Sequence, residues 1–312
     1  MMPLRRALVG LGCALQLLAT QGLAQASAAE LGAEAAAIPI IDAHFHVMMW
    51  IDAPSLVEHM DRNHISMAGG VGGGSLPTIV ALGERFIRPT GMGAWLGLHR
   101  KLDAADFENP ETPAVRSALA MIEADLRDRG ARVIGEIHVN ALTTTQEPAN
   151  RFKTPADSAT LKAIFALAGQ HGRPLNVHAQ WDTDTVQQLE RLADSFPSAR
   201  LVLAHCGSNS TAGDVREMFE RHANVCCDLS ARGSPPLRGR TVIFSEAGLD
   251  PRWQRLIEDY PDRFVVGIDT VHDWQEYDGV VRAIRRGLLA HLSPETARRV
   301  ASGNAEEWFG LR

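Results

Sequence analysis

The feature that most restricts this chain is a repeated alternation. From Ile40 onward, short apolar runs of strand length alternate with stretches whose apolar residues recur at helical spacing. Ala131–Val139, Pro174–His178, Arg200–His205, Asn224–Ser230 and Arg263–Ile268 read as strands. Val115–Arg129, Asp157–Gln170, Asp184–Phe196, Asp214–His222, Pro251–Tyr260, Glu276–His291 and Pro294–Ala301 read as helices. Strands that are apolar throughout and separated by helices signal a parallel sheet covered on both faces. Ile40–Val47 adds a strand, and weaker runs near His64–Ala68 and Phe86–Trp95 bring the count to eight. Eight such units fit an α/β fold of the closed (β/α)8 TIM-barrel type; a doubly wound open sheet is the alternative. The Gly69–Gly74 run lacks the Lys-Ser/Thr of a phosphate loop and reads as a flexible loop or a close backbone approach.

The polar residues fall where a barrel puts its chemistry. Alternate residues of a strand share a face, so His44 and His46 project together. Two neutral imidazoles at a strand end can chelate a divalent cation, zinc above all, and need further ligands from elsewhere. Four other strands also carry a metal-competent side chain at or near the carboxyl end, the face on which barrel active sites form. They supply Glu136 with His138, then His178, His205 and Asp269. Trp50, Trp181 and Trp274 each follow a candidate ligand within a few residues. They read either as ordinary loop packing or as the wall of a substrate-binding pocket for a ring-containing or apolar molecule. Arg232, just beyond the seventh strand, faces solvent or clamps a substrate carboxylate.

The run Ile41-Asp42-Ala43-His44-Phe45-His46, strand-end His178 and His205, Asp269, and Gly303-Asn304-Ala305-Glu306-Glu307-Trp308-Phe309-Gly310 together resemble the amidohydrolase superfamily. The likeness is greatest to its amidohydrolase-related branch, which includes metal-dependent decarboxylases, and it runs from about Ile38 to the C-terminus. The resemblance implies a distorted (β/α)8 barrel with one or two metal ions at the carboxyl ends of the strands. His44, His46, His178 and Asp269 would be ligands, and His205 a catalytic or second-metal histidine. Many relatives bridge two metals with a carboxylated lysine on the fourth strand. Here Lys101, Lys153 and Lys162 all lie elsewhere, and Glu136 occupies that strand. It resembles the bridging glutamate of TatD-type deoxyribonucleases. A carboxylate inside a barrel is costly unless paired or metal-bound, so Glu136 is read as a ligand or as a group that orients one.

The expected activity is hydrolysis of a C–O or C–N bond in a small-molecule lactone, ester or amide. The nucleophile would be a metal-activated water whose proton passes to Asp269, with His205 serving the substrate carbonyl or the leaving group. Metal-dependent non-oxidative decarboxylation of an aromatic or unsaturated acid is the alternative. Arg5 and Arg6, an apolar run from Ala7 to Ala19 and Ala24-Gln25-Ala26 read as a signal peptide over residues 1–26. Residues 27–37 then form a flexible segment and 38–312 the catalytic domain. A cleaved leader implies a periplasmic or secreted protein with no stable membrane anchor. Without it the chain has 29 basic and 37 acidic residues, a formal −8, which argues against nucleic-acid partners. A homo-oligomer is compatible with all of this. Cys206, Cys226 and Cys227 are an odd set with two members adjacent, and read as buried small hydrophobes, with no disulfide framework.

Overall fold

The computed structural model describes residues 35, 37–144, 148–233 and 240–311. The leader and nearly all of the 27–37 segment lie outside the described residues. The barrel strands are β1 (Ile40–Val47), β2 (Ile65–Gly74), β3 (Phe86–Ile87) with β4 (Pro89–Gly91), β5 (Val133–Asn140), β6 (Leu175–Ala179), β7 (Leu201–Ala204) and β8 (Val225–Asp228). A short hairpin, β9 (Phe244–Ser245) and β10 (Gly248–Leu249), intervenes before the last strand, β11 (Phe264–Val265). β3 and β4 are two halves of one barrel position, β3 pairing with β2 and β4 with β5. All the barrel pairings are parallel. The ring closes where Ala43 N donates to Val266 O at 3.0 Å and Asp269 N to His44 O at 2.6 Å.

Helices cover the outside, among them α1 (Ala53–Arg62), α2 (Leu76–Leu82), α3 (Met92–His99), α4 (Pro113–Asp128) and α5 (Ala159–Gln170). Their starts are written locally. Ser158 caps α5 by accepting from Leu161 N, and Thr211 with Asp214 forms a reciprocal capping box at Ala212–Arg221. Inside, Ile41, Val133, Val202, Cys226 and Val265 from five strands pack with Trp308 and Phe309 and form a dry floor. Because residues two apart on a strand share a face, Cys226 on that floor places Asp228 above it, inside the barrel. Cys227 joins the opposite, larger core, and all three described cysteines are free and buried.

Two expectations need correction. The Gly69–Gly74 run is part of strand β2 and forms no loop. A Cβ on Gly70 would stand 2.1 Å from the carbonyl oxygen of Ala43, and one on Gly69 2.5 Å from that of Ile87. Backbone contact on both sides therefore requires glycine there, as the close-approach reading anticipated. The strand expected over Phe86–Trp95 stops at Gly91, and Met92–His99 is a helix. Apolar residues surround that helix on every side, so no period distinguishes it from a strand.

Candidate metal centre

Glu136 on β5 is the hub of the barrel mouth, with five imidazoles around one buried carboxylate. On one side the contacts are ordinary hydrogen bonds. His138, two residues along the same strand, donates from Nε2 to Oε2 at 3.0 Å. His178 sits opposite His138 in the β5–β6 register and donates from Nδ1 to Oε1 at 2.7 Å. Its Nε2 then accepts from Thr144 Oγ1 at 2.6 Å. Burial pushes the His178 imidazolium down to about 3, so the ring stays neutral. Burial works against the Glu136 carboxylate too, but His178, His138 and His44 outweigh it and hold its pKa well below the usual range.

The other side is different. His44 Nδ1 lies 3.0 Å from Asp228 Oδ2, and His46 Nδ1 lies 2.9 Å from the carbonyl oxygen of Gly72. Both partners are acceptors, so each Nδ1 carries a proton, and in the neutral ring each Nε2 turns a lone pair toward the cavity. His44 Nε2 stands 3.7 Å from Glu136 Oε1 and 3.9 Å from Asp269 Oδ1. His46 Nε2 stands 3.5 Å from Glu136 Oε2 and 3.7 Å from Asp269 Oδ1. These separations are too long for hydrogen bonds and match the edges of a coordination shell with bonds of about 2.0–2.2 Å. His44 Nε2 is buried with no hydrogen-bond partner among the described residues. Lone pairs and carboxylate oxygens that face one another in a buried cavity repel unless a cation or a proton lies between them. The same field acts on His44 itself: burial opposes its protonation, yet Asp228, Glu136 and Asp269 raise its pKa to about 10. The residues present thus fit a divalent metal held by His44, His46, Glu136 and Asp269.

His205, in the loop after β7, completes the cavity. Its Nδ1 is 3.1 Å from the carbonyl oxygen of Ser230 and 2.8 Å from Ser230 Oγ, whose own proton goes to Asp228. Nδ1 therefore bears the hydrogen, and Nε2 accepts from Arg240 Nη2 at 3.0 Å with Glu136 Oε1 3.1 Å away. Burial and then Arg240 lower its pKa, so it is neutral. Several of these loop residues have left-handed backbone: φ is 54° at His205, 53° at Ala231 and 76° at Asp269.

Reading the sequence missed three residues here. Asp228 accepts from His44 Nδ1, Asn176 Nδ2 and the His205 backbone, so it aims two of the histidines. A charge inside the apolar run Val225–Ser230 was the available signal. Thr144 fixes His178, and Arg240 reaches Asp269 Oδ2 at 2.8 Å and His205 Nε2 at 3.0 Å. No spacing rule points to either. Burial works against the Asp269 carboxylate, but Arg240 and the histidines hold its pKa below the usual range.

The loop expectations fare unevenly. Arg232 is fully buried and neither faces solvent nor is free to clamp a substrate. Its guanidinium donates to the carbonyls of Thr241, His205 and Ser210 and lies 4.8 Å over the Trp253 ring. Trp50 and Trp274 form an edge-to-face pair at 5.1 Å, with Trp50 Nε1 donating to Val271 O. Trp181 stands apart, packed on Gly207 and tied to Asn209.

Over residues 41–311 the sequence matches the family described as Amidohydrolase. The chain belongs to that family. As an amidohydrolase-family member it is an enzyme, and its cluster of histidines and carboxylates is a divalent-metal site of this family. No curated protein matches it. Solved structures match its fold at low identity. One is an amidohydrolase from Burkholderia multivorans with bound zinc, 16% identical, covering 88% of this chain and 100% of its own, with a TM-score of 0.51. Another is 2,6-dihydroxybenzoate decarboxylase from Rhizobium, 12% identical over 88% and 99%, TM-score 0.52. A third is a probable 2-pyrone-4,6-dicarboxylic acid hydrolase from Acinetobacter baumannii with citric acid bound, 12% identical over 88% and 100%, TM-score 0.52. These likenesses establish the TIM-barrel fold of the amidohydrolase family for this chain.

Proposed function

We propose that this amidohydrolase-family enzyme is a zinc-dependent hydrolase that opens a C–O or C–N bond of a small lactone, ester or amide. The observation that carries the reading is that His44 Nε2 and His46 Nε2 each stand 3.5–3.9 Å from Glu136 and from Asp269 Oδ1, with no hydrogen bond across those gaps. Two imidazoles with carboxylates is a donor set that suits zinc. When bound, the ion polarises a substrate carbonyl and acidifies a coordinated water. His138 and His178 spend their N–H groups on Glu136 and fix that carboxylate. Asp228 and Ser230 lock the His205 tautomer so that Nε2 can take a proton and later return it to the leaving group. Asp269, its Oδ2 beside Arg240, is the poorer proton acceptor of the two. This moves the role of base from Asp269, where the sequence put it, to His205. Export through the leader and action on a small molecule in the periplasm belong to the same proposal.

The test is product isolation in isotopically labelled water. Zinc-loaded enzyme is screened against lactones, esters, amides and aromatic acids. Solvent oxygen in the product supports hydrolysis. Carbon dioxide release with no solvent oxygen incorporated overturns it in favour of decarboxylation, the activity named for the Rhizobium protein of similar fold. Replacing His205 by Asn should lower kcat by about 10²–10⁴-fold with zinc retained.

A further inference from the structure

Beside the short helix α2 lies a groove of about 700 Å3, lined by residues of α2, α3, α4 and the β3–β4 segment. None of its lining side chains belongs to the metal cluster. Leu76, Ile79, Phe86, Met92, Leu98 and Met121 supply apolar walls, and Leu76 and Met121 are 68% and 42% exposed. Phe86, Leu98 and Ala118 of this lining belong to the core outside the strands, so the groove opens away from the barrel interior. Its volume is that of a small-molecule pocket. Helix α3 keeps the space clear. Gly93 and Gly97, one turn apart, both line the groove. Neither has left-handed backbone, and a Cβ on either would meet nothing within 4 Å. Glycine weakens a helix relative to alanine, and here neither conformation nor packing requires it. What the two bare positions preserve is room.

The charges on the lining say what fits there. Asp125, its one acid, is already engaged, accepting from Thr90 Oγ1 at 2.7 Å and from Arg129 Nη1 at 2.8 Å. Arg88 and Lys101, its two cations, are exposed, and their side chains make no hydrogen bond or ion pair among the described residues. An occupant therefore buries an apolar body and gains from carrying a negative group. We propose that this groove is a second ligand site, for a small amphipathic organic anion. Its aromatic or aliphatic body lies on the glycine face of α3, and its acidic head is held by the field of Arg88 and Lys101. Gly72 also lines the groove, and its carbonyl oxygen is the one that holds His46 Nδ1. The ligand thus stands behind a histidine of the metal centre and outside the barrel mouth. Binding there does not depend on which bond the enzyme breaks.

The test is fluorescence titration with an organic anion, 8-anilinonaphthalene-1-sulfonate, whose sulfonate is a poor zinc ligand, and with its uncharged analogue N-phenyl-1-naphthylamine. Zinc-loaded wild-type, Gly93→Leu/Gly97→Leu and Arg88→Gln/Lys101→Gln proteins are compared, after Tm and zinc content are measured for each. Wild type should bind both dyes saturably. The leucine variant should keep its zinc and its Tm, yet bind both dyes at least about 10-fold more weakly, because its side chains fill the groove. The glutamine variant should bind the sulfonate about 3–10-fold more weakly and the uncharged dye as wild type does. Equal affinity of the wild type and the leucine variant for the sulfonate would place the dye elsewhere and overturn the proposal. So would the absence of saturable binding to wild type, or a glutamine variant that loses affinity for both dyes alike or for neither. A lowered Tm in the leucine variant would also overturn it, by showing that the glycines serve packing.

Discussion

The two sides of Glu136 use the same residue types to opposite ends. Toward His138, His178 and Thr144 every contact is a hydrogen bond of 2.6–3.0 Å in which one partner donates and the other accepts. Toward His44, His46 and Asp269 the separations are 3.5–3.9 Å, too long for hydrogen bonds. What separates the sides is the atom each histidine already has engaged. An outer acceptor on Nδ1, such as Asp228 or Gly72 O, leaves Nε2 bare for a cation. An inner acceptor, Glu136 itself, draws the N–H inward and closes the position. The partner on each ring nitrogen thus decides which histidines present a free lone pair to the cavity.

That contrast can be broken most sharply on the open side. Replacing both His44 and His46 by alanine should abolish stoichiometric zinc and bring activity to background, with far-UV circular dichroism unchanged. Metal retained by that double variant would refute the assignment. One step out, Asp228→Asn should lower zinc affinity by about 10–100-fold, because the amide can present its NH2 to His44 Nδ1 and release the tautomer. Competition against a chromophoric chelator measures this. On the closed side His178→Asn should keep zinc at full stoichiometry with an affinity loss under about 10-fold. If it loses metal as completely as the His44/His46 variant, His178 is a ligand and the closed side is not closed.

The smallest expected effect lies behind the closed side, at His99. This ring stacks on Phe152 at 3.6 Å, and its Nε2 contacts Thr154 Oγ1 at 3.1 Å. Burial, with His138 adding to it, lowers its pKa to about 4. The unfolded chain takes up this proton near pH 6.5 and the folded protein only near 4. The stability that His99 contributes by staying neutral is thus present above about 6.5 and lost as pH falls toward 4. The Tm of His99→Phe should decline less over that interval than that of wild type. Parallel declines would show that His99 does not govern the slope.

Much of this was legible in the chain because strand ends are. β1 with His44 and His46, β5 with Glu136, and β6 with His178 all stand where the alternation of runs placed them. The regular second half of the barrel was readable because its strands are continuous apolar runs with capped helices between them. Residues Gly69–Gly74 were not, since a strand of glycines has no side-chain period and is defined only by the neighbours pressed against it. The misassigned Met92–His99 has the opposite fault, being apolar on every face. Arg240 and Thr144 were out of reach for another reason. Loop residues are brought to a site by the path of the backbone, which no periodicity records.

The left-handed backbone at His205, Ala231 and Asp269 bears on how such an enzyme can be improved. Non-glycine residues held there cost of order 1–3 kcal/mol each. Glycine at His205 or Asp269 would relieve that strain while deleting the side chain proposed as proton acceptor or as metal ligand. Selection of random variants for heat resistance alone should therefore enrich inactive proteins at these two positions. Ala231 offers the same relief with no functional side chain to lose, which makes Ala231→Gly the natural first entry in a stabilisation programme.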